Sequence, residues 1–370
     1  MTLMVLVRLA VFILGMYIVV TTLASAIRSF VLPRSAPDQI SRAVFLTMRR
    51  IFGFRMRGKE SYYERDAIMA LYAPVSILSL LVFWMASVLF GFMLMFWAVG
   101  VPTWEQAFFE SGSSLLTLGL AAVVGLPQQA LAFAEALIGL ILIALLIAYL
   151  PTMYQAFARR EANVTMLEVR AGSPPSAVEA LARSYRIGRL SDLSTLWVAW
   201  EVWFAELEES HTSLAPLIFF RSPRPDHHWV TAAGAILDMA AMVNAVVDVP
   251  HDPQADLCIR AGYIALRHIS DFFGIPYNRN PSPDDPISIA REEFEEACSR
   301  LAAQGVPLKS DREQAWRDFA GWRVNYDTVL IALAGLTMAP VAPWSSDRSI
   351  IGFRPRFFVE QQGPGGAAQG

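Results

Sequence analysis

The sequence is poor in charged residues and in cysteine. Only 17% of its 370 residues are charged, while 55% are hydrophobic. These proportions are unusual for a soluble protein of this length. Two cysteines, Cys258 and Cys298, are too few for a disulfide framework, and two free, buried thiols are the simplest interpretation. The scarcity of charge therefore indicates a membrane protein, and the length leaves room for one further domain.

Recognisable catalytic and ligand-binding motifs are also missing. The adjacent His227 and His228 would point about 100° apart on a helix, which makes a poor chelating pair. The densest group of candidate ligands matches no metal motif, and helix caps and surface polar residues explain it better. This group comprises His251, Asp252, Asp256, Cys258, His268 and Asp271. Glycine-rich phosphate loops are absent. We therefore expect no enzyme, no cofactor and no metal site.

Three apolar stretches are each long enough to cross a bilayer as a helix, which takes about 20 residues. They cover approximately Leu9–Ile27, Pro74–Gly100 and Ala130–Tyr154. Glu135 is the one charged residue inside the third stretch. The sequence thus predicts three transmembrane helices.

Basic residues predict the orientation of these helices. Residues 28–66 contain nine Lys and Arg against four Asp and Glu, whereas residues 101–129 contain no Lys or Arg. The positive-inside rule then places residues 28–66 and everything after about residue 156 in the cytoplasm. The basic linker could contact anionic lipid headgroups, and a specific lipid sensor is an alternative to a purely topological role. A competing interpretation makes residues 1–26 a cleaved signal peptide, which would invert the two later spans.

A half-polar segment, residues 104–121, lies between the second and third apolar stretches and is rich in Ser, Thr and Gly. Backbone that is not helical can lie at membrane depth only where protein buries it or where it lines a water-filled cavity. The pattern predicts a short amphipathic helix from Trp104 to about Leu116, which dips into the membrane and ends at Thr117. The chain would then return outward to Pro127. This is the layout of a re-entrant pore loop.

Residues 67–158 resemble the two-transmembrane potassium channels in their order of span, pore helix, filter strand and span. Thr117 and Gly119 stand where that family has its filter threonine and first filter glycine. Leu120 replaces the filter aromatic residue, Ala121 replaces the second glycine, and no aspartate follows. The family's filter needs left-handed backbone, which costs a residue other than glycine about 1–2 kcal/mol. Ala121 therefore argues against potassium selectivity, but not against the pore-loop layout.

The resemblance implies a homo-oligomer, a tetramer in that family, which conducts potassium or another monovalent cation and needs no cofactor besides the permeant ion. The implied selectivity filter comprises Thr117, Leu118, Gly119, Leu120 and Ala121. The implied pore helix and mouth include Trp104, Glu110, Ser113, Ser114 and Glu135. Gly139 and Pro151 are candidates for a hinge or gate, although packing or helix termination is the simpler explanation. A charge inside a span, such as Glu135, is a functional candidate unless it reaches water at the outer interface.

From about Met166 the composition becomes that of an acidic, aromatic-rich soluble region. Residues 171–370 contain 17 basic and 24 acidic residues, a net charge of −7, which argues against a nucleic-acid partner. Leu, Trp and Phe recur every three or four residues between Leu193 and Leu207, which predicts a helix packed into a core. The helices predicted for this region are 176–188, 191–209, 227–247, 252–274, 287–303 and 310–338.

The sequence therefore predicts an all-α membrane protein of a bacterial inner membrane with a re-entrant pore helix and loop. Its predicted parts are a first transmembrane helix (1–27), a basic cytoplasmic linker (28–66), a pore module (67–158), a helical cytoplasmic domain (159–350) and a disordered tail (351–370). The functional hypothesis is a cation-conducting channel with a regulatory cytoplasmic domain and the lipid bilayer as a partner. The main alternative is a non-conducting scaffold or sensor that binds a partner through that domain. A membrane-bound enzyme would need a cytoplasmic active site that the sequence does not reveal.

Overall fold

The computed structural model describes residues 2–32 and 38–348, and its regular structure there is helical. Within these ranges no β-strand forms, and the one isolated bridge pairs Val247 with Leu308. The prediction of an all-α protein is confirmed. The predicted tail, residues 351–370, lies outside the described residues.

The chain divides into two compact units. The first unit comprises residues 1–57 and 71–155, and the second comprises residues 58–70 and 156–370. The residues of the predicted linker are thus divided between the two.

The first unit contains α1, α2, α4, α5 and the beginning of α6. Their bounds are α1 Thr2–Phe30, α2 Gln39–Arg55, α4 Tyr72–Ala98, α5 Trp104–Leu115 and α6 Leu126–Ala171. The stretches that contain α1, α4 and α6 are long and apolar enough to cross a membrane. The prediction of three such helices is confirmed, and each observed helix begins before the predicted span.

Helices α1 and α4 cross closely at two glycines. A side chain at Gly15 would meet the carbonyl oxygen of Gly91, and a side chain at Gly91 would lie 2.9 Å from the carbonyl oxygen of Gly15. Small residues that let helix backbones approach are typical of helix contacts in membranes. The indole N–H of Trp84 donates to Ser25 Oγ at 3.0 Å, and Ser25 donates to Asp38 Oδ2 at 2.6 Å. Because Asp38 also caps α2, this chain of bonds joins the start of α2 to the pair.

The second unit contains α3, the end of α6 and α7 to α13. The bounds are α3 Tyr62–Ala70, α7 Ala177–Arg186, α8 Ser194–Ser213, α9 Trp229–Ala245, α10 Pro253–Phe272, α11 Arg291–Ala303, α12 Arg312–Arg323 and α13 Asp327–Thr337. Helix α9 is buried along almost its whole length, and α7, α10, α12 and α13 pack on it. A helix that is apolar all round belongs at the centre of a fold. The predicted core face of α8 is confirmed, because Trp197, Trp200 and Trp203 are buried.

One fully buried arginine links three parts of the second unit. Arg323 Nη1 donates to Asp238 at 2.7 and 2.9 Å, and Arg323 Nε donates to Asp327 at 2.7 Å. Its Nη2 donates to the carbonyl oxygen of Trp344 at 2.7 Å, and the Tyr326 hydroxyl donates to Asp238 at 2.9 Å. Removing one partner of a buried ion pair costs about 3–5 kcal/mol, because the other charge is left uncompensated. This cluster therefore fixes how α9, α12 and α13 meet.

The helix predicted over 310–338 is wrong, since the structure has two helices with a break at residues 324–326. The side-chain amide of Asn325 donates to the carbonyl oxygens of Gly321 at 3.0 Å and Trp322 at 3.3 Å. These are carbonyls that the next helical turn would otherwise use. Asn325 therefore ends α12.

Helix α3 belongs to the second unit although the chain enters the first unit directly after it. Arg221 Nη1 donates to Asp66 Oδ1 of α3 at 2.8 Å, and Arg221 Nη2 donates to the carbonyl oxygen of Thr337 at 2.6 Å. The side chains of Arg221 and Asp66 are only 5% and 11% exposed. This buried ion pair joins α3 to the end of α13.

Candidate functional site

Helix α5 occupies the position of the predicted pore helix, and its ends follow from its sequence. Thr103 caps its N-terminus, where its hydroxyl oxygen accepts the amide of Gln106 at 3.1 Å. Trp104 stacks on Trp97 of α4, with ring centroids 5.0 Å apart and planes 6° apart. The helix ends at Leu115, one residue before the predicted end. Because Glu105 lies in its first turn, the helix also carries the charge that its N-terminus favours.

The C-terminus of α5 has the hydrogen bonds of a Schellman cap. The amide of Leu118 donates to the Ser113 carbonyl at 2.8 Å, and the amide of Thr117 donates to the Ser114 carbonyl at 3.0 Å. Thr117 has φ +53°, the left-handed conformation that such a cap requires. Glycine is usual at this position, so the threonine is held in a conformation that costs about 1–2 kcal/mol. The helix cap accounts for the unusual backbone at the first implied filter residue.

The Ser113 side chain holds the segment that follows the cap. Its hydroxyl oxygen accepts the amide of Leu120 at 2.9 Å and the amide of Ala121 at 3.0 Å. Gly119 has φ +67°, whereas Ala121 does not have a positive φ. In this structure the backbone at residue 121 therefore does not adopt the left-handed conformation for which a filter glycine is needed. Residues 117–121 thus fold back over the last turn of α5, with Ser113 as their anchor.

Much of the surface around this segment is apolar and exposed within the single chain. On α5 the exposed side chains include Phe108 and Phe109, and at the segment they include Leu118, Leu120 and Val124. Single apolar side chains on a surface are ordinary, but a contiguous group marks a surface that meets lipid or protein.

Helix α6 packs against the end of α5 through Gly139. A side chain at Gly139 would meet the carbonyl oxygen of Leu115, which is backbone and cannot move aside easily. Gly139 is thus a point of close packing, while Pro151 lies within the same helix about 18 Å further along. The structure brings Gly139 next to the end of α5.

The two acidic candidates are both buried within the first unit. Glu110 is 4% exposed, and the side-chain amide of Gln106 donates to its Oε1 at 2.9 Å. Ser114 donates to the backbone carbonyl of Glu110 at 2.8 Å. Glu135 is fully buried, with its Oε1 2.5 Å from Ser111 Oγ. Ser111 was not singled out from the sequence, although its helical spacing from Ala107 and Leu115 indicates the buried face of α5.

The histidines and cysteines of the second unit form no metal site in the part of the chain that the structure describes. His228 caps α9, with its Nδ1 accepting the amide of Val230 at 3.2 Å. Burial, aided by the nearby Arg221 and Arg160, holds the pKa of His228 well below its usual range. Burial raises the pKa of the Cys258 thiol, and it raises the pKa of Cys298 to about 11. Neither thiol is therefore activated as a nucleophile.

A buried polar cluster around Arg160 was not predicted from the sequence. Arg160 donates to the carbonyl oxygens of Leu217 at 3.0 Å and Phe220 at 2.7 Å, and it pairs with Glu161 at 2.8 Å. Its Nη1 lies 3.2 Å from His211 Nε2, while His211 Nδ1 lies 2.9 Å from a carbonyl oxygen of its own helix. Burial first, and then the charge of Arg160, holds the pKa of His211 well below its usual range. All hydrogen-bonding groups of the His211 ring are satisfied, so the cluster is structural.

Comparison with known proteins identifies no relative of this chain. No protein-family model matches the chain, and no curated protein and no solved structure is similar to it at a significant level.

Proposed function

We propose that this protein is a multi-pass membrane protein that assembles into a homotetrameric, potassium-channel-like pore for monovalent cations. The observation that carries the proposal is the segment of residues 116–125, which is not helical and lies between the apolar helices α4 and α6. It follows a short polar helix and is tied back to it by Ser113. Such backbone is tolerated at membrane depth where it lines a water-filled cavity.

Assembly follows from the number of pore segments. One chain carries one such segment, which cannot enclose a path by itself, so conduction requires several copies around an axis. The exposed aromatic side chains of Phe108 and Phe109 supply apolar surface for such contacts. Residues 101–129 contain acidic but no basic residues, which favours cations over anions at the entrance.

Orientation in the membrane follows from the basic residues. In the proposed topology, residues 101–129 lie outside and residues 159–350 form a helical cytoplasmic domain. Reporter fusions at Gly125 and Gly172 test this arrangement. We expect an exported reporter at Gly125 and a cytoplasmic reporter at Gly172, and the reverse pattern would contradict the topology.

Ion flux from liposomes that contain the purified full-length protein tests the function. We expect potassium and sodium flux in the parent protein and a large loss in Thr117→Val, which keeps the side-chain shape but removes the hydroxyl. Thr117→Ser is the matched control, because it keeps the hydroxyl and should retain flux. The alternative of a non-conducting scaffold is favoured by Leu120 and Ala121, which replace filter residues of the channel family. Absence of flux in a properly assembled parent protein would select the scaffold.

A further inference from the structure

A carboxyl group, a hydroxyl group and a carbonyl group from three helices meet inside the first unit. Ser111 Oγ of α5 lies 2.5 Å from Glu135 Oε1 of α6 and 3.0 Å from the carbonyl oxygen of Leu89 in α4. Glu135 and Ser111 are both fully buried. Glu135 Oε2 has no hydrogen-bond partner among the residues that the structure describes.

The contacts of Ser111 with Glu135 and with Leu89 each need a proton to be hydrogen bonds, and the Ser111 hydroxyl can supply only one of the two. A hydroxyl group has one proton to donate, and a backbone carbonyl can only accept. If Glu135 is ionised, it too can only accept. Ser111 would then donate to one oxygen atom and face the lone pairs of the other without a proton between them. A proton on Glu135 removes this conflict, because Glu135 then donates to Ser111 and Ser111 donates to Leu89.

Among the described residues, the Ser111 hydroxyl is the one group that could stabilise a negative charge on Glu135. Burial and the single contact with Ser111 are the influences on its carboxyl group within the described residues, and no basic side chain acts on it. Helix α4 has Tyr72 as its one titratable group, and those of α5 are the acids Glu105 and Glu110. A buried charge without a partner is costly enough that such a group takes its neutral form instead.

We propose that Glu135 is a proton-binding site and is a neutral acid at neutral pH. Its proton completes a chain of two hydrogen bonds that joins α6 to α5 and α5 to α4. Without its proton, Glu135 carries an uncompensated charge, and the Ser111 hydroxyl has one proton for its two contacts with Glu135 and Leu89. Deprotonation of Glu135 therefore loosens α5 from α6. This inference goes beyond the proposed function, and it holds whether or not the protein conducts ions.

Infrared spectroscopy of the full-length protein in liposomes tests the proposal directly, because a carboxylic acid and a carboxylate absorb at different frequencies. We expect an acid carbonyl band at neutral pH that is lost in Glu135→Gln. The side-chain amide of glutamine can donate to Ser111 in place of the acid, so the fold should survive. Glu105→Gln, which removes an exposed acid of α5, is the matched control and should keep the band.

Two further measurements keep the test independent of any one substitution. Ser111→Ala should shift the band to higher frequency, since the acid then loses its acceptor. In the unsubstituted protein, raising the pH should replace the acid band by carboxylate bands. Because a single proton is lost, the ratio of carboxylate to acid should rise tenfold per pH unit. Carboxylate bands that disappear in Glu135→Gln at neutral pH, or an acid band that Ser111→Ala does not move, would overturn the proposal.

Discussion

Replacing Ser113 by alanine should release the segment that follows α5. The Ser113 hydroxyl oxygen accepts the amides of Leu120 and Ala121 at 2.9 and 3.0 Å, and alanine can accept neither. One hydrogen bond contributes about 1 kcal/mol net, so the two together hold the segment by about 2 kcal/mol. Since 1.4 kcal/mol is a factor of ten in an equilibrium, the population of the released segment should rise roughly 30-fold.

Ser114→Ala is the matched control for this prediction. Ser114 is the next residue of the same helix, but its hydroxyl donates to the carbonyl oxygen of Glu110 at 2.8 Å, within α5 itself. Its removal leaves the amides of Leu120 and Ala121 with their acceptor. The two variants therefore make the same chemical change at adjacent positions, with different expected consequences.

Amide hydrogen exchange of the protein in liposomes measures the difference, because exchange reports local opening. We expect the amides of Leu120 and Ala121 to exchange roughly 30-fold faster in Ser113→Ala, following the loss of about 2 kcal/mol, and at the parent rate in Ser114→Ala. Unchanged exchange in Ser113→Ala, or equal acceleration in both variants, would refute the role of Ser113 as the anchor. The readout does not depend on ion conduction.

Three further predictions concern the cap, the packing of α6 and the buried histidines. Thr117→Gly should raise the free energy of unfolding of the detergent-solubilised protein by about 1 kcal/mol, because glycine adopts φ +53° without strain. A lower free energy of unfolding would contradict this. Gly139→Ala should lower that stability by about 1–3 kcal/mol, since the added Cβ meets a backbone carbonyl oxygen, whereas Gly112→Ala, where the nearest atom is 3.9 Å away, should not. Burial depresses the pKa values of His211 and His228, so only the unfolded state gains protons as the pH falls below 6.5. Stability should therefore fall by about 1.4 kcal/mol per pH unit per histidine below that pH, and His211→Gln should halve the slope of unfolding free energy against pH.

Local sequence patterns were sufficient to predict α5 and the non-helical segment after it. Residues 104–121 are half polar and rich in Ser, Thr and Gly, and they lie between two long apolar stretches. These signals act over a few residues, so they can be read directly from the chain. The three long apolar helices are equally local, because their length and composition alone identify them.

Contacts between distant residues could not be predicted in the same way. Ser111 meets Glu135 from another helix, and Arg323 meets Asp238 across 85 positions. A charged residue such as Arg323 is normally exposed, so its complete burial has no signal in the sequence. The break between α12 and α13 was missed because it depends on the Asn325 side chain, whereas sequence reasoning looks for glycine or proline.

The buried ion pair between Asp66 and Arg221 restricts the proposed membrane topology. Two bonded side chains lie on the same side of a membrane, so the chain between them must cross that membrane an even number of times. If α4 and α6 both span the membrane, as their length and composition allow, they account for two crossings. In the proposed topology, α5 and residues 116–125 would then have to leave the membrane on the side from which they entered. A third complete crossing in that stretch would place Asp66 and Arg221 on opposite sides and separate the pair.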